Sequence, residues 1–178
     1  MRTRLAGLGA IALALTLASG TAFAGNPATI SVTVTIQNLS VSASGPIAFG
    51  TVVSGSQTVS TSSSTVTNDG NVTETYSISL TNPATWTAVQ AAPSSAEEYA
   101  LLAQFNSSAP TAGSFTYANH AISTTPVTSS GTVFAGGQTG LSVAAAATRS
   151  LWFRFNAPTS TAVTTQQSIT VTLTASAG

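Results

Sequence analysis

Two stretches near the ends of this chain, Ile30-Ser-Val-Thr-Val-Thr-Ile36 and Ile169-Thr-Val-Thr-Leu-Thr-Ala175, alternate strictly between an apolar and a hydroxyl side chain. A period of two suits a β-strand with one dry face and one wet face; wrapped on a helix it would scatter the apolar residues around the axis. The same alternation runs through Val72, Glu74, Tyr76, Ile78 and Leu80 against Thr73, Thr75, Ser77 and Ser79. It returns in Leu151, Phe153 and Phe155 against Trp152 and Arg154.

Turn signals bound these runs at Gly45-Pro46, Asn82-Pro83 and Ala157-Pro158, and Asn68-Asp-Gly-Asn71 has the Asp-Gly pair that favours a positive-φ hairpin turn. Further short strands are expected at Phe49–Gly55, Phe115–Tyr117, Thr132–Phe134 and Gly140–Ala146. Ser94 and Ser95 each stand three residues before a glutamate, as in a helix capping box, yet Tyr99, Leu101, Ala103 and Phe105 alternate. A capped turn leading into a strand reconciles the two. About eight to ten short strands with regular turn signals describe an all-β fold, an Ig-like antiparallel β-sandwich of one domain.

One irregularity stands out. The apolar residues occupy even positions through Ile36 but odd positions at Leu39, Val41 and Ala43. A one-residue slip of this kind marks a β-bulge or a strand that leaves one sheet for another. It also fits a joint between a donated segment, 28–37, and a resident strand from Leu39 to Ala43.

Arg2 and Arg4, the apolar stretch from Leu5 to Ala18 and the small-x-small site Ala22-Phe-Ala24 read as a cleaved secretory signal peptide over 1–24. The apolar run, interrupted by Gly7, Gly9 and Thr16, is shorter than the ~20 residues a spanning helix needs. The protein is therefore expected to be secreted, extracellular or at the cell surface, with no membrane insertion after cleavage. The remaining organisation reads as an N-terminal strand segment over 25–44 and a sandwich domain over 45–178. With no cysteine, an exported chain of this size must hold together on its core alone.

Charge is nearly absent. Only 4% of residues are charged, against ~25% in an ordinary soluble domain. After the leader the cations are Arg149 and Arg154, facing Asp69, Glu74, Glu97 and Glu98. Two arginines cannot neutralise a phosphate backbone or an anionic membrane surface, so nucleic acid is excluded as a partner. Ser and Thr, roughly a third of the residues after the leader, supply the polarity instead. Such a surface is hydrated but barely self-repelling, which favours association between copies.

Nothing in the sequence assembles a catalytic, cofactor or metal site. His120, the one histidine, reads as a surface loop residue with no nucleophile and orienting carboxylate beside it in sequence. Glu97 and Glu98 would point to opposite faces of a strand, not across a sugar ring. Asp69, Asn71 and Glu74 could offer oxygens to calcium, but their spacing is not that of a calcium loop and an Asp-Gly turn explains Asp69. The three Asn-x-Ser/Thr sequons, at Asn38, Asn71 and Asn106, match chance in so hydroxyl-rich a chain. Trp86 and Trp152 are candidate ligand or interface aromatics; Trp152 and Arg154, on the opposite parity from Phe153, would be exposed or lie against another subunit.

The stretches VTVTIQNLSVS (32–42), VTNDGNVTETYSISL (66–80) and LWFRFNAPTSTAVTTQQSITVTLTA (151–175) resemble secreted Ig-like β-sandwich proteins of prokaryotic cell surfaces. More loosely, the architecture is similar to fibre subunits that polymerise by donor strands, the TasA/camelysin group and fimbrial pilins. The chain departs from chaperone–usher pilins in lacking cysteine and in ending Ala-Ser-Ala-Gly. The resemblance implies a non-enzymatic structural subunit of an extracellular filament or surface layer whose partner is itself. Ile30, Val32, Val34 and Ile36 would be the inserted residues of a donor strand, and Ile169, Val171 and Leu173 would line the acceptor groove. The alternative is a secreted carbohydrate-binding or adhesive module that presents Trp86 or Trp152 to cell-surface glycans.

Overall fold

The structure, a computed structural model, describes Gly25 and residues 27–178; the expected leader over 1–24 lies outside the described residues. Nine strands follow in order: β1 (Val41–Ala43), β2 (Gln57–Val59), β3 (Ser64–Asn68), β4 (Glu74–Thr81), β5 (Thr87–Ala88), β6 (Glu98–Phe105), β7 (Val127–Thr128), β8 (Thr148–Asn156) and β9 (Thr170–Ala177). A 3₁₀ turn (Ala112–Ser114) and a single helical turn, α1 (Tyr117–His120), lie between β6 and β7. The fold is all-β and sandwich-like, as the alternation predicts.

The larger sheet has the order β1-β3-β8-β6-β5, with β2 also on β8. Its pairings are antiparallel except β5 with β6, which is parallel and makes this sheet mixed. β2 and β3 are one interrupted neighbour of β8: Gln57 faces Asn156 and Ser64 faces Leu151, so the intervening residues bulge. The smaller sheet is β7-β4-β9.

The two inner faces share one core. Val66 from β3, Tyr76, Ile78 and Leu80 from β4, Tyr99, Leu101, Ala103 and Phe105 from β6, and Leu151, Phe153 and Phe155 from β8 interlock there. Each strand supplies every second residue, so the sequence periodicity and the burial coincide.

The opposite face of the larger sheet is also covered. Ala100 and Leu102 of β6 lie under Phe115, with Trp152 and Tyr117 against them. Arg154 is 5% exposed on that face. Its Nη1 donates to the carbonyls of Ala112 (2.7 Å) and Phe115 (3.0 Å), its Nε donates to Asn156 Oδ1, and its guanidinium lies over the Phe115 and Tyr117 rings. The expectation that Arg154 is exposed or meets another subunit is thereby corrected, since the same chain folds over it; Trp152 is half-buried against the same layer. Phe115 and Tyr117 belong to this cover, and residues 132–134 form a bend and turn whose Phe134 packs into the main core; neither stretch is the expected strand.

His120 is corrected too, being 4% exposed. Its Nδ1 accepts from the Thr116 amide (2.8 Å), which leaves Nε2–H to donate to the Ala135 carbonyl (3.1 Å). Phe49–Gly55 and Gly140–Ala146 hold no strand, although Val143 makes an isolated bridge to Glu74. Asn68–Asn71 joins β3 of one sheet to β4 of the other and is therefore not a hairpin turn.

Two outcomes follow. Arg154→Lys keeps the charge but loses the planar fork, and should cost about 2–3 kcal/mol in urea unfolding. Burial holds the His120 pKa below its ordinary 6.5, so the folded state resists its protonation. Its stabilisation is complete above pH 6.5 and is lost as pH falls through the lower folded value. Unfolding free energy should therefore drop between pH 7 and pH 5, and a His120→Gln variant should flatten that slope.

Candidate functional site: an open groove beside the last strand

β9 pairs along its whole length with β4, from Glu74↔Ala177 to Thr81↔Thr170, and among the described residues no strand pairs with its other side. Its side chains alternate as the sequence predicts: Thr170, Thr172 and Thr174 are exposed, while Val171 and Leu173 are half-buried. Ile169, Val171 and Leu173 form one wall of a groove of about 940 Å³. The sequence-predicted acceptor residues are thus brought together on one surface.

The rest of the groove was not legible in advance. Its floor is the inner face of the larger sheet, Leu101, Phe153 and Phe155. Its opposite wall is the irregular stretch 43–52 that follows β1, where Ile47, Phe49 and Val52 turn inward. Phe49 rests on Phe155 with ring centroids 5.6 Å apart. In sequence this stretch resembles a strand and turn; its groove-lining role depends on contacts more than 100 residues away (Phe49 to Phe155).

Trp86 lines the groove as well, half-buried, its ring stacked on Phe155 at 5.9 Å and 21°. Its Nε1–H donates to Thr161 Oγ1 at 3.2 Å. Trp152 lies on the other face of the sheet, its Nε1–H donating to the Asn106 carbonyl. Neither indole stands free as a flat sugar-stacking platform.

Residues 159–168 form the groove rim, and Glu97 holds them. Its carboxylate accepts from Thr161 Oγ1 and the Ala162 amide, both at 2.7 Å, and its own amide donates to the Ser160 carbonyl at 3.1 Å. Glu97 sits at φ +62°, an unfavourable region for a residue with a β-carbon. The neighbouring Glu98 accepts from the Ser94 and Ser95 amides, the capped turn expected before β6. The two adjacent glutamates therefore anchor two different segments, 160–162 and 94–95.

The expected donor strand is unpaired. Among the described residues before β1 there is no strand, and Ile30, Val32, Val34 and Ile36 are 89%, 82%, 78% and 74% exposed. The pattern that predicts a strand over 30–36 thus forms no ladder among the described residues. Chain order resumes at Ile36–Ser40, which is bonded to the β3–β4 turn. Asn71 Nδ2 donates to the Ile36 carbonyl and Asn71 Oδ1 accepts from the Asn38 amide, each at 2.8 Å. Asp69 N donates to the Ser40 carbonyl, and Glu74 Oε1 accepts from the Ser40 amide, both at 2.7 Å. A β-carbon at Gly70 would collide with the Glu74 carboxylate and the Asn38 carbonyl, which explains glycine there.

Of the oxygens that could face a calcium ion, Asn71 Oδ1 and Glu74 Oε1 bond the chain itself, and among the described residues no three His, Asp or Glu side chains cluster as metal ligands. No helix of the described residues is long and apolar enough to cross a membrane. No protein-family model, curated protein or solved structure matches this chain.

The hydrogen bonds from Thr161 and Ala162 hold the Glu97 carboxyl below its ordinary 4.5. Its grip on the rim is complete above that value and is lost as pH falls through the lower folded one. Glu97→Ala should speed amide exchange at Ala162 and Val163 at neutral pH while leaving exchange in β4 and β8 unchanged.

Proposed function

We propose that this protein is a structural subunit of an extracellular filament or surface layer, assembling by addition of a β-strand from one copy to the next. The observation that carries the reading is a pairing of unmet needs within one sequence. An apolar groove lies open beside a free strand edge, and the same chain carries a strictly alternating segment whose four apolar side chains are 74–89% exposed. Burying them would contribute on the order of 6–10 kcal/mol before entropy costs. A head-to-tail contact whose rotation does not close on itself builds a fibre.

Composition supports the same reading. With 4% charged residues, copies meet without repulsion, and long edges that soluble proteins usually blunt with lysine are left bare. Secretion is part of the proposal and rests on the leader-like residues 1–24. The groove's aromatic wall does not favour a glycan ligand, because the Trp86 ring stacks on Phe155.

Negative-stain electron microscopy of the secreted protein at neutral pH tests the proposal. Regular fibres are expected, with Val34→Asp leaving soluble, folded monomers. Fibres of normal yield from Val34→Asp, or monomers alone from the unsubstituted protein, would sink it.

A further inference from the structure

We infer that the groove's occupant is segment 28–37 of a second copy, and that it joins the free edge of β9 as a fourth strand of the smaller sheet. This rests on the strand-addition reading and specifies which edge receives the strand.

Length is the first argument. The alternating segment Ile30–Ile36 needs an edge of similar extent, and β9 offers eight residues. The other end strands of the two sheets are short: β1 has three residues, β5 and β7 two each. β1 also ends near the groove, where Ser44 still bonds Thr65 before the chain turns at Gly45-Pro46.

Parity is the second. A strand beside β9 must share its alternation, because neighbours in one sheet point their side chains to the same two faces. Ile30, Val32, Val34 and Ile36 would enter the groove next to Ile169, Val171 and Leu173. Ser31, Thr33 and Thr35 would then continue the hydroxyl face that β4 and β9 already share, where Ser77 faces Thr174 and Ser79 faces Thr172. The hydroxyls on this face bond across strands, as Ser77 Oγ and Thr128 Oγ1 do at 2.9 Å.

The third argument is the absence of the usual protections. Neither β9 nor residues 28–37 contain proline, lysine or any other charged residue, the devices that keep an exposed edge from pairing. Alternate residues of β9 direct their N–H and C=O groups away from β4, so an incoming backbone would gain ladder bonds there.

The chain has no cysteine, which makes cross-linking unambiguous. Facing residues on adjacent strands have β-carbons ~4.5–5.5 Å apart, close to disulfide reach. The full chain would carry Thr33→Cys together with Thr170→Cys, Thr172→Cys or Thr174→Cys, and Thr33→Cys with Ser42→Cys as the β1 control. Each would be oxidised after assembly and checked for fibres by microscopy. The expected result is a ladder of disulfide-linked multimers from at least one β9 pair, lost on reduction, with none from the β1 pair. A cross-link confined within single chains would overturn the second copy as occupant. Fibres that cross-link only through Ser42→Cys would overturn the β9 edge while leaving the filament reading intact. The absence of any assembly in every variant and in the parent protein would remove both.

Discussion

The architecture turns on an imbalance between two sheets. The larger one presents Leu101, Phe153 and Phe155 towards the interior, and the smaller one, ending at β9, stops short of covering them on one flank. A free edge alone is tolerable when it borders water, because solvent satisfies its amides. Here it borders an apolar groove, so both the backbone and the side chains at this flank would gain from one more strand. The stretch 43–52 narrows the gap with Ile47, Phe49 and Val52 but offers no ladder, since it holds no strand.

A chain so poor in charge places what it has at junctions with the backbone. Glu74 secures Ser40, Glu97 secures the groove rim, Glu98 secures the turn before β6, and Arg154 gathers the carbonyls of the layer behind the larger sheet. Arg149 does the same at the start of β8, donating to the Thr139 and Thr148 carbonyls. Charged groups bond neutral backbone partners more strongly than hydroxyls would. Each therefore fixes an irregular segment that weak Ser and Thr contacts could not hold alone. Without disulfides, these anchors and the core carry the fold.

What could be read from sequence was whatever alternation alone decides. β4, β6, β8 and β9 stand where apolar and polar residues alternate, and their inward faces are the ones the parity names. What escaped depended on partners distant in the chain. His120 and Arg154 look like surface residues until 112–117 folds over β8. The Asp-Gly turn has the letters of a hairpin, yet β3 and β4 belong to different sheets and its polar groups serve residues 36–40 instead. Of the candidate site, the β9 wall was legible and the floor and far wall were not, because Phe49 and Trp86 reach it from stretches without periodicity.

The parity slip after Ile36 now has a physical account. Up to Ile36 the even residues are apolar, and Ile30, Val32, Val34 and Ile36 are 74–89% exposed. From Val41 the backbone pairs with β3, facing Asn68. Between the two, Asn38 and Ser40 are held through their backbone N–H and C=O groups by Asn71, Asp69 and Glu74, so residues 38–40 follow the β3–β4 turn. The slip is thus where one alternation ends at an anchor and another begins in a sheet. On the strand-addition proposal, this anchored stretch is the point from which residues 28–37 would leave for a neighbouring copy.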